Sequence, residues 1–126
     1  MSKVFIIDDD PIHQRIAQIM ITKHQLYDEY ISYTEALKAL DFLEKNCAST
    51  ALLPDVILLD LNMPVMDGWD FLEKYETIKK SFSKEIKIFI VSSSVDEKDI
   101  ARSHLFTAVA GFISKPLTPD IIRKTL

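Results

Sequence analysis

The 126-residue sequence predicts an α/β fold: a doubly wound, five-stranded parallel sheet with helices on both faces. Three observations carry this. Short apolar runs alternate with longer segments of helical period, in five β-α units. One run, Val56-Ile57-Leu58-Leu59, is apolar without alternation, which suits a strand covered on both faces. Polar residues that can do chemistry follow the runs, where parallel sheets of this kind place their ligands.

The elements follow in order. Val4 to Ile7 is β-branched and aromatic and stops at Asp8-Asp9-Asp10. Asp10 before Pro11 reads as an N-cap with proline at the first helical position. Ile12, Ile16, Ile19 and Met20 then recur at helical spacing and make one apolar face. Glu29 to Tyr33 is a second, weaker strand, and Thr34 is placed to cap the helix that follows. In that helix Ala36, Leu40, Leu43 and Cys47 share a face, and residues 46–53 read as a loop. Pro54-Asp55 leads into the third strand, which ends at Asp60. Gly68, Phe71, Leu72, Tyr75 and Ile78 keep a helical period, with Asp67-Gly68 as the helix start. Ile86 to Val91 is the fourth strand and runs out into Ser92-Ser93-Ser94. Asp96 is placed to cap a helix carrying Ile100, Ala101, His104 and Leu105. Val109 to Ile113 is the fifth strand, followed by Ser114-Lys115-Pro116, and Thr118 or Asp120 starts a last helix.

Composition removes several function classes. The chain has two glycines, Gly68 and Gly111, where the usual ~7% would give about nine. Neither a G-x-G-x-x-G dinucleotide loop nor a P-loop can be built from two distant glycines. The single cysteine, Cys47, excludes an intramolecular disulfide and a multi-cysteine zinc site. His13, His24 and His104 have no metal-site spacing and read as core or surface residues. The net charge of −4, with no basic block, argues against a nucleic-acid partner. The opening residues meet Asp8 too early for a signal peptide. No apolar run approaches the ~18 residues of a membrane span. The expectation is one cytoplasmic domain over residues 1–126, with no membrane contact and no output domain.

At the strand ends the sequence places Asp8 and Asp9, Asp60 and Asn62, Ser92, and Lys115. Three carboxylates in one crevice repel each other and stay ionised together only around a cation. All-oxygen ligands in a small site suit Mg²⁺. The nearby hydroxyl and ammonium suit an added anion, most plausibly a phosphoryl group, and an aspartate there can be its acceptor.

Four segments together resemble the receiver domain of two-component response regulators, single-domain type: Ile6 to Pro11, Asp55 to Gly68, Val91-Ser92-Ser93 and Gly111 to Pro116. The resemblance spans essentially the whole chain in the right order and spacing. It implies a flavodoxin-like receiver fold with Asp60 as phosphoacceptor. It assigns Mg²⁺ to Asp8, Asp9, Asp60 and the Asn62 backbone carbonyl, with Asp9 the more direct ligand of the pair. It makes Ser92 the hydroxyl that bonds the phosphoryl group, Lys115 its cationic partner and Phe112 the aromatic that turns inward on switching. Ser93 matches a neighbouring position that must stay small, and the Lys115-Pro116 bond is expected to be cis. By the same resemblance Asn62 and Ser94 flank the path of hydrolytic water. The first helix contacts the phosphodonor through residues such as His13, Gln14 and Gln18, and Trp69 lies near enough to report on the site. The departures are Thr107-Ala108-Val109 and Ser32 to Glu35, where many receivers carry a turn glycine.

The function implied is a stand-alone response regulator, not an enzyme beyond its own phosphorylation and dephosphorylation. It would take a phosphoryl group from a histidine kinase or histidine phosphotransfer protein and signal through an output protein or self-association. One alternative is a phosphorylation-independent binding module, which usually loses part of the acidic site. The other is an aspartyl-phosphate phosphatase, which needs a second aspartate where Asn62 stands.

Overall fold

A computed structural model describes residues 2–93 and 96–126. Five strands, β1 (Lys3–Ile7), β2 (Glu29–Tyr33), β3 (Val56–Asp60), β4 (Lys87–Ser92) and β5 (Val109–Ser114), form one sheet in the order β2-β1-β3-β4-β5. Every pairing is parallel. The helices are α1 (Pro11–His24), α2 (Ala36–Lys45), α3 (Gly68–Ile78), α4 (Glu97–Ser103) and α5 (Pro119–Arg123), with a 3-10 turn at Lys79–Ser81. This is the doubly wound sheet the sequence predicts.

The unbroken apolar runs are explained by two cores. In β1, Phe5 and Ile7 face the core under α2 and α3, while Val4 and Ile6 face the core under α1 and α5. In β3, Ile57 and Leu59 share the first core, and Val56 and Leu58 share the second. Both faces of each strand are thus buried, with the period of two hidden in a continuous run. Four predicted caps form. Asp10 accepts from the Ile12 N–H, Asp96 from Lys98 and Thr118 from Ile121. Asp67 and Asp70 make a reciprocal capping box at the start of α3.

Three expectations are corrected. The cap of α2 is Glu35, with no side-chain hydrogen bond, and Thr34 lies before it. The isoleucine face of α1 points outward: Ile12 is 68% exposed, Ile16 41% and Ile19 53%. Its inward face is Gln14, Ala17 and Ile21. Small Ala17 lets the helix approach the sheet. Gln14 is needed there because its amide donates to the carbonyls of Ile6, Asp8 and Tyr33, where the strand ladders end. In α4, Ser103 is the buried residue, whereas Ala101, His104 and Leu105 are exposed. That helix is only seven residues long, and no residue of β5 is fully buried.

α3 is held against the end of β3 by a close approach. A Cβ on Gly68 would sit 2.8 Å from the Leu61 Cα and 2.9 Å from the Asp60 carbonyl oxygen, both backbone atoms that cannot turn aside. At Gly111 the nearest atoms are the Phe89 ring at 3.1 Å, which can tilt. Gly68→Ala is therefore expected to cost about 1–3 kcal/mol in urea unfolding, and Gly111→Ala less. Equal losses at the two positions would contradict this packing.

Candidate functional site

The strand order reverses between β1 and β3, and the crevice lies beyond their carboxyl ends. Asp8 follows β1 and Asp60 closes β3, and both are buried. Carboxylate oxygens of Asp8, Asp9 and Asp60 lie within 4.8 Å of one another. Asp8 accepts from the Asp10 N–H at 2.9 Å, and Asp60 accepts from the Asn62 N–H at 3.2 Å. The backbone of Asn62 therefore lies against the Asp60 carboxylate.

Lys115 reaches in from the end of β5. Its Nζ stands 3.1 Å from Asp8 Oδ2 and 3.6 Å from Asp60 Oδ2. Its backbone N–H donates to the Ser92 carbonyl at 2.8 Å, which ties the lysine to the end of β4. Ser92 is buried beside it, and Ser93 is exposed. The Lys115-Pro116 bond is cis, as the resemblance implies. Phe112 is half-buried, packs on the core under α2 and α3, and pairs in register with Ile90. Ser94 lies outside the described residues.

The electrostatics follow from this crowding. Burial pushes the Asp60 carboxyl up to about 6, the nearby Asp8 carboxylate adds to the rise, and Lys115 opposes it. One ammonium does not balance three carboxylates. The donor set, all hard oxygens in a strained cluster, fits a divalent cation of the Mg²⁺ kind.

The match with known proteins agrees with the geometry. Residues 4–126 match the model of the response regulator receiver domain. The chain belongs to that family. It is 27% identical over 126 residues to the rice two-component response regulator ORR1, covering 98% of this chain and 53% of that protein. It thus spans about half the length of that relative. It is 25% identical to the Helicobacter pylori chemotaxis protein CheY1, covering 98% of this chain and 93% of that one. Among solved structures, a response regulator receiver protein from Dyadobacter fermentans superposes with a TM-score of 0.84 at 28% identity, covering 100% of this chain and 95% of that one. Receiver domains interact with histidine kinases or phosphotransfer proteins. No helix among the described residues is long and apolar enough to cross a membrane.

The receiver site brings together Asp8, Asp9, Asp60, Ser92 and Lys115, with Asn62 beside them. Sequence reasoning missed two neighbours, Gln14 and His13. Gln14, expected at the surface, is buried under the strand ends. His13 lies 2.9 Å from Lys115 through Nδ1. Trp69, expected near the site, stacks on Phe106 with ring centroids 6.1 Å apart, and the Arg102 guanidinium lies 4.5 Å from its ring. The signal for Gln14 and His13 is position: Asp10-Pro11 starts α1 directly after the acidic pair, so the first turn of that helix overhangs the crevice.

The raised Asp60 value makes a stability statement. Its folded value, about 6, lies above the ordinary 3.8, so the native state holds the proton more tightly. The resulting stability is present below pH 3.8 and is lost as pH rises through about 6. At neutral pH the ionised Asp60 therefore strains the metal-free fold. Asp60→Asn is expected to stabilise the metal-free protein by about 1–3 kcal/mol at pH 7.5. The gain should shrink at pH 4, and saturating Mg²⁺ should shrink it at pH 7.5. Denaturant titrations at both pH values check this, and a gain independent of pH would contradict it.

Proposed function

We propose that this receiver accepts a phosphoryl group on Asp60 from a histidine kinase or histidine phosphotransfer protein, with Mg²⁺ held by Asp8, Asp9, Asp60 and the Asn62 carbonyl. The observation that carries the reading is the buried Asp60 carboxylate beside Asp8 and Asp9 and within 3.6 Å of the Lys115 ammonium.

A carboxylate oxygen of Asp60 attacks the phosphorus of phosphohistidine. A new O–P bond forms, the N–P bond breaks, and its electron pair returns to the imidazole nitrogen. When bound, Mg²⁺ would offset negative charge on the carboxylates and on the transferring oxygens. Lys115 donates to a phosphoryl oxygen, held in place by its backbone bond to Ser92. Ser92 turns its hydroxyl to a second oxygen, and Phe112 turns inward behind it. That repacks the surface made by α4, β5 and α5. An output protein or a second copy that prefers one arrangement then reads the state.

In this reading residues 1–126 form one cytoplasmic receiver module. Receivers are not generally classed as enzymes, and the chemistry proposed is confined to the chain's own Asp60. Asn62 stands where an aspartyl-phosphate phosphatase would need its general acid. The intact acidic site favours phosphorylation over a purely structural binding module.

Acetyl phosphate with Mg²⁺ tests the assignment without a partner. Wild type is expected to gain one phosphoryl group by mass spectrometry, and Asp60→Asn none, with an unchanged circular dichroism spectrum. Lys115→Ala is expected to lose about tenfold or more in labelling rate. Undiminished labelling of Asp60→Asn would remove Asp60 from the role.

A further inference from the structure

His13 occupies the third helical position of α1, and its Nδ1 stands 2.9 Å from Lys115 Nζ. It also lies 3.3 Å from Asp10 Oδ2 and 3.7 Å from Asp8 Oδ2. An ammonium has three N–H donors and no lone pair. The contact with Lys115 is therefore a hydrogen bond only when Nδ1 offers its lone pair and the imidazole proton sits on Nε2. Asp10 competes for Nδ1 in the opposite sense, as an acceptor that wants an N–H. The lysine has the stronger claim. It is closer, its side chain is 10% exposed against 40% for Asp10, and Asp10 already caps α1 through its other oxygen.

We propose that His13 is a positioning residue for Lys115: its neutral Nδ1 takes one ammonium N–H and pins the lysine over the acidic crevice. Asp8 takes a second N–H at 3.1 Å. The remaining donor is left for the side of Asp60, whose Oδ2 is 3.6 Å away, beyond hydrogen-bond reach but where a phosphoryl oxygen would be met. A neutral acceptor suits this task. A further carboxylate would add to the repulsion that already crowds Asp60, while an apolar side chain would leave a flexible four-carbon stem free to swing. Small displacements of such a group cost large factors in rate. The inference rests on Asp60 as phosphoacceptor.

The test has one arm that needs no phosphorylation. In ¹⁵N-histidine NMR at pH 8, His13, assigned by the signals lost in His13→Asn, is expected as the Nε2–H tautomer. Its Nδ1 resonance should shift in Lys115→Ala. The second arm is labelling by acetyl phosphate, which bypasses any partner docking on α1. At saturating Mg²⁺, His13→Leu is expected to lower the rate about 5- to 30-fold. His13→Asn, which keeps a neutral acceptor near Nδ1, should recover most of the rate. In a Lys115→Ala background His13→Leu should cost nothing more. Full rate in His13→Leu, no recovery in His13→Asn, an equal loss without the lysine, or an Nδ1 signal indifferent to Lys115→Ala would each overturn the proposal. A wild type that never labels on Asp60 would instead overturn the phosphoacceptor reading and the role of His13 with it, while the NMR arm still reports the contact.

Discussion

The unbalanced charge of the crevice is the constraint on which the rest of this structure depends. Asp8, Asp9 and Asp60 crowd their oxygens into one cluster, and Lys115 supplies one positive charge. The imbalance lifts the affinity of Asp60 for a proton, and the same imbalance makes a divalent cation welcome. A folded chain can hold such a cluster only if the surrounding backbone is over-determined. Here it is. Gln14 spans three strand-end carbonyls, Gly68 seats α3 on the backbone of Asp60 and Leu61, and Lys115 is bonded through its backbone to Ser92.

Most of the architecture was legible because the sheet is buried on both sides. Continuous apolar runs such as Val56 to Leu59 declare such strands, and the polar residue that stops each run declares the crevice. The polar ends of these runs, Asp8, Asp60, Ser92 and Lys115, thus read from the sequence as one edge of the sheet. What was not legible depended on partners distant in sequence. The outward isoleucines of α1 kept a helical period but not the period that faces the core, because a period fixes a face and not its direction. Gln14 is a polar residue on an inward face, and only the converging carbonyls of Ile6, Asp8 and Tyr33 explain it. His13 belongs to the site only because α1 and the end of β5 lie side by side.

The scarcity of glycine has a structural meaning. Neither glycine has a positive φ; among the described residues the left-handed positions are filled by Gln25, at φ 50° after α1, and by Val65, at φ 68° in the loop after Asp60. A β-branched residue in that region is strained. Val65 is fully exposed, so no packing of its side chain repays the strain. The chain therefore tolerates conformational cost where glycine would relieve it and keeps Gly68 where a side chain cannot fit. Gly68, against the Asp60 carbonyl, is retained for space and not for flexibility.

The two sides of the crevice differ in how firmly they are held, and this gives the proposed switch its direction. On the α3 side, the capping box at Asp67, the Gly68 contact and buried Trp69, Phe71 and Leu72 leave little room to move. On the other side, β5 has no fully buried residue, α4 has seven residues and α5 has five. Regions with few buried apolar contacts open at the lowest free energy. A charge added at Asp60 meets a rigid wall at α3 and a yielding one in α4 and in β5, at Phe112. The contacts of Trp69 with Phe106 and Arg102 are the described aromatic contacts that fasten the soft side to the rigid one. Any displacement of α4 must therefore either carry Arg102 off the indole and off Glu73, 3.8 Å away on α3, or pivot about these contacts.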